Sequence, residues 1–185
     1  MSDEQDAVLD AVFDLVVAHG ITGATMRRVA DRSGVDGKTL RRNYGSQYGL
    51  LMTVSKTLEL RRDRRLAAVT ADRDLRSVAD RRDYLRDVLR ALLEPADRRE
   101  LLVTAELITG ARLVDGLAAE AEGASAGIHT IIATALERVG VTELELETQR
   151  LLALLDGLTI RLAYPHGPAG DTDCLLRHHI DTLVS

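Results

Sequence analysis

The chain has no tryptophan, one phenylalanine and four tyrosines among 185 residues. So few rings argue against a site that holds flat cations by stacking. Cysteine is almost missing too. Cys174 stands alone and cannot form an intramolecular disulfide, which favours a reducing compartment. No apolar run reaches about 18 residues, the length a helix needs to cross a bilayer. The opening MSDEQD is acidic and polar, unlike a secretory signal. A cytoplasmic protein with no membrane partner is therefore expected. No alternating run of β-branched residues stands out, which leaves an all-α chain. GITG and GASAG lack the strand-then-helix context of a phosphate loop. His178 and His179 are neighbours, about 100° apart on a helix, so they share no face for a metal. Glu143, Glu145 and Glu147 gather where a helix N-terminus favours negative charge, not as an acid–base pair. No catalytic residue, metal or cofactor is expected, and the chain does not read as an enzyme.

What is present is a chain that is 45% hydrophobic, with formal net charge −5 and only two lysines, Lys38 and Lys56, among 24 basic residues. Net acidity does not exclude nucleic acid, because affinity follows local phosphate neutralisation. Between Arg27 and Arg42 the balance reverses, with six basic residues against Asp31 and Asp36. Apolar residues in the same stretch fall at Met26, Val29, Ala30, Val35, Leu40 and Tyr44. They can face inward while most of the bases stay in water. Thr25 can cap a helix from Met26 to about Ser33, Gly34 supplies a turn, and Asp36 can cap the next helix. That layout is a helix-turn-helix whose second helix enters a DNA groove.

The rest reads as helices. Residues 4–19 form the first, with Gly20 as its C-terminal cap. A long fourth helix spans 46–70, with Leu50, Leu51, Val54, Leu58 and Leu66 as its apolar stripe. Further helices are expected over 76–94, which Pro95 breaks, and from Asp97 to about Leu117, where Gly110 and Gly116 speak against one unbroken element. EGASAG, residues 122–127, reads as a loop or helix-breaking stretch. Helices follow over 128–139, 143–164 and 173–184, with a turn at HGPAG. Nine helices result.

The segment VLDAVFDLVVAHGITGATMRRVADRSGVDGKTLRRNYGSQYGLL resembles the DNA-binding head of the TetR family of bacterial regulators. The likeness rests on His19-Gly20, Thr25, Val29-Ala30, Gly34-Val35, Thr39-Leu40, Tyr44 and Leu50-Leu51. It implies a three-helix head over 1–46 and a helical ligand-binding and dimerisation body over 47–185. It also implies a one-component regulator, most often a repressor, acting as a homodimer on a pseudo-palindromic operator. Lys38, Thr39, Arg42 and Asn43 are expected on the face toward base edges, with Gly37 beside them among the DNA-binding residues. Thr25, Arg28, Arg41, Tyr44 and Gln47 are expected to position phosphates. Two positions depart from the family pattern. Arg41 stands where Tyr is usual, and Gln47 where Lys is usual, so one contact gains a charge and the other loses one.

LLALLDGLTIRLAYP also resembles the penultimate helix of one TetR-family group, in which the last two helices pair with a second subunit. Leu151, Leu155, Leu158, Leu162, Leu176 and Ile180 are the candidate interface. Polar residues on otherwise apolar stretches of the body, Tyr84, Thr104, Thr109, Arg112, His129 and Asp156, are candidates to meet a small effector. A lipid-like or mixed apolar–polar molecule fits the scarcity of rings. Two other classes remain open. One is an all-α small-molecule carrier or enzyme with a vestigial helix-turn-helix. The other is an adaptor whose last two helices engage a different protein.

Overall fold

The computed structural model describes residues 3–71, 73–95, 97–114, 116–164 and 171–184; the side chains of Arg112 and Glu120 are outside that description. The described residues form nine α-helices: α1 Asp3–His19, α2 Met26–Ser33, α3 Gly37–Tyr44, α4 Gln47–Thr70, α5 Val78–Leu93, α6 Arg98–Gly110, α7 Leu117–Arg138, α8 Leu144–Ala163 and α9 Thr172–Leu183. Short 3-10 turns at Ile21–Gly23 and Ala111–Leu113 complete the list. The expected turn at 165–170 lies outside the described residues. The chain divides into two compact units, Met1–Leu60 with Ala96–Gly123 and Arg61–Pro95 with Ala124–Ser185.

In the first unit, α1, α2, α3, the start of α4 and α6 share one core. Val12, Phe13 and Val16 of α1 meet Ile21, Val29, Leu40, Leu50, Leu51 and Val103, all essentially closed to solvent. Helices as short as α2 and α3 are marginal alone, so this packing is what holds them. Local caps assist. The Thr25 hydroxyl accepts the Arg28 N–H at 3.4 Å, and Gly34 closes α2 at φ 72°. That left-handed angle strains any residue with a Cβ. The last residue of α6, Gly110, is glycine for a packing reason. A Cβ there would lie 2.6 Å from Cγ2 of Ile21, so only glycine lets the 3-10 turn pack against the helix.

In the second unit, the rest of α4 and α7 pack with α5, α8 and α9 around Leu85, Val88, Leu89, Ile132, Leu136, Leu151, Leu158 and Ile180. α5 begins at Val78, two residues later than the apolar pattern suggests. Ser77 and Asp80 form a reciprocal capping box, each accepting the other's backbone N–H at 3.0 and 3.2 Å. α5 and α9 run antiparallel, with Arg82 paired to Asp181 at 3.1 Å and Arg90 paired to Asp173.

Residues 122–127 are the clearest correction. They lie inside α7 and do not form a loop. Gly123 and Gly127 take ordinary helical angles, and a Cβ added at either meets nothing within 4 Å. Tertiary packing of the Ile132, Ala135 and Leu136 end carries a weak helical stretch along with it. Gly123→Ala and Gly127→Ala should therefore each stabilise the protein by about 0.4–1 kcal/mol, read as a rise in the urea midpoint.

Candidate nucleic-acid interface

The orientation of α3 follows from one buried residue. Leu40 is fully closed to solvent against the first core. At about 100° per residue, Lys38 and Arg42 each lie about 160° from Leu40, on the crest opposite the core. Thr39 and Arg41 flank that crest. Lys38, Arg41, Arg42 and Asn43 are exposed, as is Gly37, while Thr39 and Tyr44 are half-buried.

The first turn of α3 is held by Asp36, whose carboxylate accepts the Lys38 N–H at 3.0 Å and the Thr39 N–H at 3.2 Å. Asp36→Ala removes both acceptors and should cost about 0.5–2 kcal/mol of stability. The fraying falls on the turn that carries Lys38, so amide exchange should quicken at Lys38 and Thr39 before the rest of α3. Uniform exchange along the helix would contradict this assignment of the cap.

The charges sort into two classes. Arg32 is bound to Asp14, and Arg27 sits 4.0 Å from Asp31. Arg28, Lys38, Arg41 and Arg42 have no carboxylate partner among the described residues. Of these four solvent-facing bases, Arg28 and Arg41 could each neutralise a phosphate, which sets a salt slope of about −1.8 per protomer. Tyr44 adds a phenol donor, and partial burial and then nearby Glu4 raise it above its ordinary value. Gln47 also makes a contact within its own unit. Its amide nitrogen lies 3.4 Å from the Ile21 carbonyl and 3.5 Å from that of Thr22, where it donates to the 3-10 turn. The sequence carried no sign of that contact, which spans 25 positions or more of chain. Thr25 is half-buried with its hydroxyl on the cap of α2, and Arg28 is exposed beside it.

The effector candidates are divided between the units. Thr104 and Thr109 lie in the first, and their hydroxyls donate to the carbonyls of Glu100 and Ala105 at 2.8 and 2.7 Å. The Arg112 side chain lies outside the described residues. Tyr84, His129 and Asp156 lie in the second. Tyr84 is buried under the Arg138 guanidinium, 4.7 Å from its ring centre, and its phenol oxygen accepts from Arg138 at 3.2 Å. His129 is half-buried, with Nε2 3.8 Å from Glu145. Asp156 is on the outer side of α8, where partial burial raises its carboxyl. A cavity of about 90 Å³ in the first unit is lined by Val8, Leu9, Tyr44, Leu50, Thr53 and Val54 among others, and by none of these six.

The interface candidates are mostly interior. Leu151, Leu155, Leu158, Leu176 and Ile180 are buried within one protomer, and Leu162 is half-buried against the same core. They anchor α8 and α9 to their own unit. The sequence could not separate the two uses, since both require an apolar helix face. The opposite side of α8 carries Leu146, Ala153, Gly157 and Ile160, and that of α9 carries Leu175, His178 and Thr182. Leu146 and Leu175 are 46% and 42% exposed. A Cβ at Gly157 would meet nothing within 4 Å.

Among the described residues no helix is long and apolar enough to cross a membrane, and no group of three or more His, Cys, Asp or Glu could hold a metal ion. No curated protein sequence matches the chain. Solved structures do. A transcriptional regulator from Rhodococcus sp. Rha1 aligns with TM-score 0.80 and 24% identity over 98% of this chain and 96% of that one. A regulator from Saccharomonospora viridis, solved with choline, aligns with TM-score 0.74 and 21% identity over 98% and 95%. FadR from Bacillus subtilis, solved with stearoyl-CoA, aligns with TM-score 0.71 and 15% identity over 98% of each chain. At these identities the likeness speaks for the fold alone. The family model for the C-terminal part of BetI-type transcriptional repressors matches residues 81–185, more than half of the chain. With that match behind a helix-turn-helix head and an all-α body, the chain belongs to the TetR family of transcriptional regulators, a family of regulators and not of enzymes.

Proposed function

We propose that this protein is a ligand-responsive repressor that binds a pseudo-palindromic operator as a homodimer, with residues 1–46 reading DNA and 47–185 binding effector and partner. The observation that carries the proposal is the crest of α3, where Lys38 and Arg42 project away from Leu40 with no carboxylate partner among the described residues. Base edges specify and phosphates position. Lys38, Thr39, Arg42 and Asn43 take the first role, with Gly37 admitting close approach. Arg28, Arg41 and Tyr44 take the second, with Thr25 alongside. Gln47 acts through the turn it holds.

The partner surface is the outer side of α8 and α9. Leu146, Ala153, Gly157 and Ile160 are spaced seven, four and three residues apart, the period of a helix–helix seam. Small residues at 153 and 157 let a second helix come close. Two α3 helices must then sit about 34–36 Å apart, or a multiple of that, to enter successive major grooves. An effector that binds more tightly to another separation releases DNA. A coupling of about 1–3 kcal/mol changes affinity about 5–150-fold. The effector we infer is part apolar and part polar, nearer to an acyl chain than to a flat cation. Of its candidate contacts, Thr104, Thr109 and Tyr84 differ in what they can offer. The two threonines have only lone pairs left, while the Tyr84 phenol proton has no acceptor among the described residues. Within the first unit Arg112 would add a charge to the two threonines, and within the second His129 would stand as the polar group beside Tyr84, while Asp156 lies on the outer side of α8 that we assign to the partner.

Selection of bound sequences from random DNA tests the proposal. Two inverted half-sites with centres about 10 base pairs apart, or a multiple, are the expected outcome. A pool that never enriches would overturn it. A reporter placed behind the selected site then separates repression from activation.

A further inference from the structure

One group of charges in the first unit takes no part in the DNA-facing crest. By sequence Arg32 is one of six bases on the helix-turn-helix, yet its guanidinium turns away to α1. Nη2 and Nε donate to Oδ2 of Asp14 at 2.6 and 3.3 Å. The other oxygen of the same carboxylate accepts from Nη1 of Arg99 at 3.0 Å. Arg99 stands in the first turn of α6, where Nη2 also meets Asp97, the N-cap of that helix, at 2.8 Å and Asp10 at 3.1 Å. One carboxylate therefore joins three helices, with a different helix on each oxygen.

Exposed ion pairs contribute little to stability one at a time. These pairs are half-exposed, so their stabilisation is modest, but their geometry is specific. Two nitrogens of Arg32 converge on one oxygen while Arg99 takes the other, so each helix holds its own side of one carboxylate. α2 needs such a fix. It is eight residues long and only Val29 on it is fully buried. α6 in turn opens shortly after Pro95, where the chain returns from the second unit to the first.

We propose that Asp14 is a positioning residue for DNA binding, through which the first turn of α6 sets the seat of α2 and so the angle at which α3 presents Lys38 and Arg42. The proposal rests on the DNA-binding reading above. It assigns to α6 a route into the helix-turn-helix separate from the covalent one through α4.

The test uses the full chain with Arg99→Gln, Arg32→Gln, Asp14→Asn and the Arg99→Gln/Arg32→Gln double variant. Operator affinity, random-DNA affinity and thermal midpoint are measured for each. Arg99→Gln should weaken operator binding at least about fivefold, with little change in midpoint and little on random DNA. The double variant should be no worse than the weaker single one, because both act through one carboxylate. Arg99→Lys, which keeps the charge, should recover part of the loss. Amide resonances of α2 and α3 should move in Arg99→Gln although residue 99 lies on neither helix. An Arg99→Gln protein that binds the operator within twofold of the parent overturns the proposal, as do effects that multiply in the double variant. Asp14→Asn failing to fold would not rescue it, since the Arg99 variants decide. Lys38→Ala serves as the control. If it loses operator affinity while Arg99→Gln does not, the positioning role alone is wrong. If the parent binds no DNA, both readings fall together.

Discussion

Replacing Lys38 or Arg42 by Ala should weaken binding to the selected operator by about 1–3 kcal/mol each, roughly 5- to 150-fold. Both side chains stand opposite the buried Leu40, so neither truncation disturbs the core. Lys38 also follows the Asp36 cap, whose carboxylate accepts from its backbone N–H and not from its ammonium. The loss should concentrate at particular base positions and be far smaller on random DNA. Arg41→Ala supplies the contrast. A side chain on the flank of the crest neutralises phosphate, so its removal should weaken all sequences alike and reduce the salt slope by about 0.9 per protomer. Titration by fluorescence anisotropy at several salt concentrations distinguishes the two. Equal losses on operator and random DNA for Lys38→Ala would demote it to a phosphate contact.

The second large effect concerns α8. Leu155→Ala should destabilise the protein by about 2–5 kcal/mol, because a side chain only 5% exposed leaves a cavity that the surrounding helices fill only in part. Gly157→Arg, two residues on, should do the opposite in kind. The position opens to space within the protomer, so the fold tolerates the side chain, while a helix seated against it cannot. Chemical denaturation should register the first substitution as a lower midpoint. Light scattering should register the second as a shift from dimer to monomer. A Gly157→Arg protein that stays dimeric at low concentration would move the partner surface elsewhere.

These two residues show what patterning can and cannot tell. Leu151, Leu155, Leu158 and Leu162 repeat at helical spacing, and that repeat establishes a helix with one strongly apolar face. It does not say whether the face meets its own chain or another. Leu146, Ala153, Gly157 and Ile160 lie on the other side, and two of the four are too small to register as apolar surface in a sequence. Only the burial of the first set shows which face of α8 stays open. Residues 122–127 miscarried for a related reason. Two glycines and small neighbours are a fair local sign of a break, each glycine costing about 1 kcal/mol relative to Ala. Packing of the following turns outweighed that sign.

The local determinants proved the most legible. Thr25, Gly34 and Asp36 act within three or four residues of their own position, so capping geometry and a left-handed glycine mark α2 and α3 directly in the chain. The alternation of Leu40 with Lys38 and Arg42 likewise sets which side of α3 is wet, and the family likeness rests on Thr25, Gly34 and Leu40 among other local positions. Tertiary structure decided what depends on residues far apart. Gln47 holds the turn at Ile21, and Gly110 admits Ile21 across some ninety positions of chain. Arg32, which belongs by sequence to the basic set of the helix-turn-helix, is drawn to an Asp on α1 that α6 also holds. An ion pair requires two partners within about 4 Å, and nothing in a linear pattern measures that distance.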